Sequence, residues 1–286
     1  MKNILLTGGT GFIGKNFTNI LKNKYKIFLL VNKKKKNLSF KNEKNINYLF
    51  FNDVNEIKNI LKKKRITYFV NLATHYTLED KDKDIIKIIN ANVLLPSIVI
   101  SSLNKKYLKK IITIGTMMEH YNNSKYYPSS FYAASKRSFE ALIKYYKLRY
   151  PLLKVFNLKF YETFSDKDER NKIIPTIKKN YTNNKITKIS STKLSLNFLH
   201  VEDIINAIEI ILTKKIIPGN YQIKAKKFTK IKDLIEKFNK KNFKKINCKF
   251  GNEKLFQINY NLKKLPYWRQ KTLIEIKFNS IINGKN

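Results

Sequence analysis

Cysteine is almost missing from this 286-residue chain. Cys248 stands alone, which excludes an internal disulfide framework and any cysteine-built zinc site. Arginine is scarce as well, confined to positions 65, 137, 149, 170 and 269. Acids are few: 20 Asp and Glu stand against 59 Lys and Arg, for a formal charge of +39. No uninterrupted apolar run reaches about eighteen residues, so no membrane span is expected. The opening MKNILLTGGTG has glycines inside its apolar stretch and no small-residue cleavage site, unlike a signal peptide. Internal repeats and low-complexity linkers are lacking too. The expectation is a soluble, cytoplasmic protein with no membrane partner.

The positive charge invites a nucleic-acid reading. The shortage of arginine argues against it, because bidentate readers of bases and phosphates are usually arginines. The lysines are spread along the whole chain and travel with Asn and Ile, whose codons are also A/T-rich. Codon bias therefore accounts for the charge, and no specific nucleic-acid partner is expected. Weak non-specific attraction to polyanions would still follow from the field.

What is present is apolar mass, 43% of residues, enough for a sizeable core. Apolar runs over 3–8, 25–31, 46–51, 66–73, 110–116 and 152–160 predict buried strands. Helical periodicity predicts helices over 12–23, 54–64, 84–104 and 131–149, with Pro96 bending the third. This strict alternation predicts an α/β protein with a doubly wound parallel sheet covered on both faces. After about residue 161 the elements are shorter and more polar: 194–201, 202–212, 219–224 and 231–239. They predict a smaller C-terminal domain, with residues 1–160 forming the first domain and 161–286 the second.

The octet TGGTGFIG follows the first strand and opens the first helix. Gly8 would allow the tight turn, Gly11 a close approach of a pyrophosphate, and Gly14 close packing of helix on strand. The helix N-terminus would offer free N–H groups to phosphates. The context is that of a Rossmann-like dinucleotide site. Asp53, after the third strand, would accept the adenine amino group or cap the next helix. The second strand ends in Asn32 followed by Lys33 and Lys34, where an NAD site usually carries an acid. Lys33 or Lys34 would neutralise a 2′-phosphate, so NADP is preferred over NAD.

The pattern Y-x-x-x-K occurs six times, starting at Tyr121, Tyr132, Tyr150, Tyr181, Tyr260 and Tyr267. On a helix its two members share a face, and the lysine favours the phenolate of its neighbour, so the tyrosine can exchange a proton with an alcohol or carbonyl. Tyr121 and Tyr181 sit in polar turns, and Tyr150 precedes Pro151. Tyr260 and Tyr267 lie in the C-terminal region, far from the glycine strand in sequence. Tyr132 heads a helix, with small residues between it and Lys136. It also follows a strand ending in Thr116, whose hydroxyl would meet the same substrate oxygen.

In their order, TGGTGFIG, VNLAT, NANV, the Thr116 strand end and YAASK resemble the extended short-chain dehydrogenase/reductase family. Within it they look like the NAD-dependent epimerase/dehydratase group acting on nucleotide sugars. The resemblance covers residues 1–212 well and the remainder loosely. It identifies 194–212 as the segment that returns to the Rossmann domain, and the LPYWRQKTLIEIKF segment as the closing helix. It implies that Gly8, Gly11, Phe12, Ile13 and Gly14 hold the pyrophosphate and that Ala73 lies beside the nicotinamide; Asn32, Lys33, Asp53, Val54, Leu72 and Lys136 are the further residues expected on the cofactor. Thr116, Tyr132 and Lys136 would be the catalytic set and Asn92 the supporting asparagine. It further implies a nucleotide-sugar substrate and a homodimer built on helices like 84–104 and 131–149.

Arg170 and Lys172 would meet a nucleotide diphosphate. His75 would face the substrate together with Thr116 and Tyr132, and His120 reads as a polar loop residue. No residues suggest a metal. A 4,6-dehydratase of this family needs an acid directly after the threonine. Here Met117 and Met118 intervene before Glu119, so dehydration ranks last. The short loop from Thr116 to Tyr132 resembles the subgroup acting on CDP-linked deoxysugars. A keto-sugar reductase is therefore favoured over a 4-epimerase, and a non-catalytic NAD(P)- or RNA-binding protein is the competing class.

Overall fold

The computed structural model of the chain describes residues 1–33, 43–79, 81–253 and 258–284. By contact the chain divides into two units. The first comprises Met1–Lys159, Ile205–Gln222 and Ile258–Pro266; the second comprises Phe160–Ile204, Ile223–Gln257 and Tyr267–Asn286.

The first unit contains β1 (Asn3–Thr7), α1 (Phe12–Leu21), β2 (Lys26–Asn32), β3 (Ile46–Phe51) and α2 (Ile57–Leu61). There follow β4 (Tyr68–Asn71), α3 (Asp82–Ile89), α4 (Leu95–Ser102), β5 (Lys110–Ile114), α5 (Phe131–Arg149) and β6 (Lys154–Lys159). The second unit contributes β7 (Glu162–Phe164), α6 (Ile173–Thr182), β8 (Thr187–Ile189), β9 (Ser195–Leu196) and β10 (Phe198–His200). Then come α7 (Val201–Thr213), which runs from the second unit into the first, and β11 (Gly219–Gln222) in the first. The rest are β12 (Thr229–Lys230), α8 (Ile231–Lys241), β13 (Cys248–Phe250) and α9 (Ile274–Asn283).

Seven strands form one sheet in the order β11-β6-β5-β4-β1-β2-β3, with every pairing parallel. This is the expected doubly wound sheet. Its central strands are buried end to end, as a sheet covered on both faces requires: β4 has no exposed residue, and in β1 Ile4, Leu5 and Leu6 are fully enclosed. Leu5, Phe69 and Ile111 pack with Ile57, Val99, Ile100 and Phe139 of the helices. Burying each such side chain stabilises the fold by roughly 1.5–3 kcal/mol.

Four local readings are corrected. The stretch after Pro218 is not a short element of the smaller domain, because β11 pairs in parallel with β6 and completes the large sheet. The segment 54–64 is not one helix: Val54–Glu56 is a 3-10 turn capped by Asp53, whose carboxylate accepts from Asn55 N–H at 2.8 Å. The helix expected over 84–104 contains a π-helical turn, Asn90–Leu94, between α3 and α4. Pro96 is the reason within reach: it has no N–H to give to the carbonyl four residues back, that of Asn92. The expected closing helix starts late, at Ile274. Pro266 and Tyr267, whose φ is +65°, turn the chain before it.

The second unit has its own core. Phe164, Ile174, Ile177, Phe198, Leu234, Phe238, Phe278 and Ile282 come from its strands and from α6, α8 and α9. The unit also holds the short strand pairs β7–β10, β9–β12 and β8–β13, of which β8 lies against α6, β10 against α9 and β12 against α8.

Candidate active site

The turn after β1 is shaped by backbone contact. Gly8 has φ +71°, a conformation that suits glycine, and a Cβ there would stand 2.4 Å from the Leu72 carbonyl carbon and 2.5 Å from Ala73 N. A Cβ on Gly14 would meet Gly8 O at 2.2 Å. Gly11 has more room, 3.2 Å to the same oxygen, and is the N-cap of α1. The first strand, first helix and the end of β4 therefore meet as bare backbone. This cradle fits a dinucleotide phosphate, since side chains would fill the space and the α1 N-terminus leaves its N–H groups without helical partners. Phe12 and Ile13 begin that helix, and the buried Leu72 and Ala73 form the facing wall.

Asn32 closes β2, and the exposed Lys33 bonds through its N–H to Phe51 O. Lys34 lies outside the described residues. Asp53 is engaged as a cap, and Val54 follows it half-buried.

Of the six Y-x-x-x-K pairs, Tyr132–Lys136 is enclosed whole within a helix. Tyr181 lies one residue before the end of α6, and Tyr150 follows the last residue of α5. Ser130 starts α5 by accepting from Ala133 N–H at 3.2 Å. Tyr132 and Lys136 are both buried, with the ammonium 5.7 Å from the phenol ring centroid. Burial draws the Lys136 ammonium down to about 8, and the Glu119 carboxylate pulls the other way. Tyr76 stands edge-on to the Tyr132 ring at 4.9 Å.

Asn92, in the π turn, ties this helix to the loop after β4. Its Oδ1 accepts from His75 N–H at 2.8 Å and Thr74 Oγ1 at 3.2 Å. Its Nδ2 donates to His75 O at 3.2 Å and to Ser135 Oγ at 2.9 Å. Ser135 in turn donates to Tyr132 O at 2.7 Å. The widened turn aims a buried amide at two elements together, a use often made of π-bulges. The His75 ring lies 3.7 Å from Asp84 of α3.

Thr116 caps the turn Met117–Glu119. Its hydroxyl accepts from Met118 N–H at 3.2 Å, and its own N–H donates to Glu119 Oε1 at 2.9 Å. Burial lowers the proton affinity of His120, and the nearby Lys159 adds to that; its ring stacks on Tyr260 at 4.3 Å.

In the second unit Arg170 is held by carboxylate and carbonyl. Its Nε and Nη2 contact Asp168 at 2.8 and 2.6 Å, and Nη2 also donates to Thr163 O at 2.8 Å. Lys172 lies 3.3 Å from Glu162. Both cations thus have acidic neighbours within their own unit.

Sequence reasoning passed over Tyr76, Ser135 and Lys159. Ser135 was in view between Tyr132 and Lys136, but a serine in a helix carries no signal of its partner. The other two reach the site through tertiary contacts.

Comparison with known proteins agrees with this architecture. A 4,6-dehydratase acting on dTDP-D-glucose, from Dictyostelium discoideum, is 28% identical over 253 residues, covering 78% of this chain; the chain spans 58% of that relative's length. A CDP-abequose synthase from Salmonella muenchen is 26% identical over 255 residues, 87% of this chain and 84% of the relative. Among solved structures, a mutant UDP-glucuronic acid 4-epimerase from Bacillus cereus, bound to UDP-4-deoxy-4-fluoro-glucuronic acid and NAD, superposes with a TM-score of 0.82. It covers 98% of both chains at 17% identity, a likeness of fold. The model of the NAD dependent epimerase/dehydratase family matches residues 4–223. With its parallel sheet, glycine cradle and helical tyrosine–lysine pair, this chain belongs to the NAD-dependent epimerase/dehydratase family of enzymes.

Proposed function

We propose that the protein reduces a nucleotide-linked 4-keto-6-deoxysugar, with Tyr132 as the general acid. The observation that carries this reading is the buried Tyr132–Lys136 pair at the head of α5. The similarity to CDP-abequose synthases over most of both chains supports the substrate class. When bound, a nicotinamide dinucleotide supplies the hydride. What this chain adds is the proton: Tyr132 gives its hydroxyl proton to the carbonyl oxygen, and the Lys136 ammonium stabilises the phenolate left behind. Thr116 donates a hydrogen bond to the same oxygen. Asn92 and Ser135 hold the start of α5 in register with the loop after β4.

Gly8, Gly11, Phe12, Ile13 and Gly14 hold the pyrophosphate, and Leu72 and Ala73 face the nicotinamide side. Lys33 beside Asn32, with no acid at that strand end, favours NADP over NAD. Residues of the second unit, Arg170 and Lys172 among them, serve the nucleotide diphosphate.

Dehydration is disfavoured by Glu119, the first acid after Thr116. Its carboxylate is held by Lys159 at 2.5 Å and by the Thr116 N–H. A carboxylate so engaged is not poised to take a proton from a sugar carbon. A 4-epimerase would use the same residues with hydride removed and returned.

Ile86, Leu94, Leu142, Tyr145 and Leu148 are exposed on α3, the π turn and α5. Among the described residues, the helical run Asp82–Ser102 is the one long and apolar enough to cross a membrane, by length and composition. We read this apolar surface as the face on which two copies pair.

The test is consumption of reduced nicotinamide with CDP-, dTDP-, UDP- and GDP-linked 4-keto-6-deoxysugars. Turnover lowered about 10²–10⁴-fold in Tyr132→Phe, with folding unchanged, is the expected result. Inversion at C4 of the corresponding 4-hydroxy sugars, with no net change in nicotinamide, would transfer the assignment to epimerase. No turnover with tight RNA binding would sink the enzyme reading.

A further inference from the structure

Lys159 is the last residue of β6 and is wholly enclosed, yet it lies between two carboxylates. Its ammonium is 2.5 Å from Glu119 Oε2 and 3.0 Å from Glu140 Oε2, with His120 Nε2 at 3.4 Å. Glu140, on α5 one turn beyond Lys136, also accepts from Arg137 at 3.0 Å, Asn220 at 2.7 Å and Asn157 at 3.3 Å. Glu119 gives its other oxygen to the Thr116 N–H. Four elements contribute, separated in sequence by up to about a hundred residues: the loop after β5, then α5, β6 and β11.

Room has been left for this pair. A Cβ on Gly115 would stand 2.8 Å from Glu119 Oε1 and 3.0 Å from Lys159 Cγ. Burying an ion pair gives little net stability on average, and often less than an apolar replacement would. An arrangement so costly to desolvate therefore calls for a role besides stability. One end of the chain of alternating charge, Arg137–Glu140–Lys159–Glu119, is the backbone of Thr116. The same carboxylate acts electrostatically on Lys136.

We infer that Glu119 and Lys159 form a buried positioning pair for the proton site, fixing the Thr116 backbone and holding a carboxylate whose charge acts on Lys136. The inference rests on the reading of Thr116, Tyr132 and Lys136 as that site. The pair does not touch the reacting atoms. Burial raises the proton affinity of Glu119, and the Lys159 ammonium and the Thr116 N–H work against that rise. The Glu119 carboxylate opposes the burial that draws the Lys136 ammonium down to about 8. The charged or titratable groups on these two are Tyr132, Glu140 and Arg137 from α5, Lys159 from β6, and His120 beside Glu119.

The experiment follows Lys136 directly, without substrate. Protein carrying carbon-13 at lysine Cε is titrated by NMR, and the Lys136 resonance is assigned by its loss in Lys136→Arg. The unaltered protein should show a midpoint near 8. In Glu119→Gln it should fall by roughly one pH unit. Because Glu119→Gln leaves Lys159 short of a partner, the double variant Glu119→Gln, Lys159→Met is measured beside it. That variant removes the pair together and should show a smaller shift in the same downward direction, because the Lys159 cation that opposes an ammonium at Lys136 has gone as well, with a native circular dichroism spectrum. In turnover, the alkaline limb of kcat/KM should move to lower pH by the same amount. A Lys136 midpoint unchanged in both folded variants would overturn the inference, and would leave the pair as a brace for the loop. A shifted midpoint in a protein that turns over no nucleotide sugar would uphold the electrostatic coupling and overturn the function proposed above.

Discussion

The two units handle buried charge differently. In the second unit Asp203 is 1% exposed, and its two oxygens accept from the backbone N–H groups of Lys271 and Thr272 at 3.0 and 3.1 Å. Asp168 clamps the half-exposed Arg170 within two residues of itself. These carboxylates staple loops. In the first unit Lys159 is 0% exposed and is shared by two glutamates from different elements, with Lys136 buried nearby. A carboxylate satisfied by backbone N–H groups chiefly fixes chain geometry, although Asp203 also acts on the nearby His200. One satisfied by a buried amine projects a field that neighbouring titratable groups feel, because little water screens it. The proposed proton chemistry belongs to the unit that keeps charges of the second kind.

Three substitutions press on that contrast. The largest effect is expected from Lys159→Met, which leaves Glu119 buried without its cation. Denaturant unfolding should show a loss of about 3–5 kcal/mol. A loss under about 1 kcal/mol would mean that Glu119 protonates or reaches water freely, and the contrast between the units would blur.

Lys136→Met should act in the opposite direction on stability. An unfolded lysine holds its proton to about 10.5, whereas this one, folded, gives it up near 8. Below pH 8 the folded protein therefore carries the full penalty of a buried ammonium, and the penalty shrinks as pH rises from 8 towards 10.5. The variant should be more stable by about 2–3 kcal/mol at neutral pH, and the advantage should fade in alkali. Turnover should be lost together with that gain. Equal stability at both pH values would show that the lysine is not desolvated.

Arg170→Met is the mildest of the three. It leaves Asp168, whose side chain is 2% exposed, with fewer donors, and should cost about 1–3 kcal/mol. If Arg170 is purely a staple, KM for the nucleotide sugar will stay within about twofold once folding is restored at lower temperature. A KM raised about tenfold would place the guanidinium on the diphosphate and make it more than a loop clamp.

The parts of the site that could be read from sequence were those built from local spacing. Gly8, Gly11 and Gly14 lie within one strand–turn–helix, and Tyr132 and Lys136 within one helical turn. The same locality explains why three of the other five Y-x-x-x-K pairs could be set aside, by Pro151 in one case and by polar turns in two others. The pairing of Glu119 with Lys159 was out of reach, because forty positions separate them and each looks like an ordinary charge in a lysine-rich chain. The clamp from Asn92 to Ser135 and His75 was likewise hidden, since it depends on a π turn that local propensity does not announce. Gly219–Gln222 was misplaced because a short polar edge strand carries little apolar signal, and its pairing with β6 is decided across the sheet.

The amino-acid sequence by itself determined the alternation of strands and helices, the bare backbone of the glycine turn and the tyrosine–lysine pair, since each follows from unbroken apolar runs, a period of 3.6 residues or the stereochemistry of glycine. Tertiary structure alone decided which charges are buried, which carboxylate faces which amine, and so what Lys136 experiences. Desolvation and Coulomb energy depend on distances between residues far apart in the chain, and those distances exist only once the sheet has closed around them.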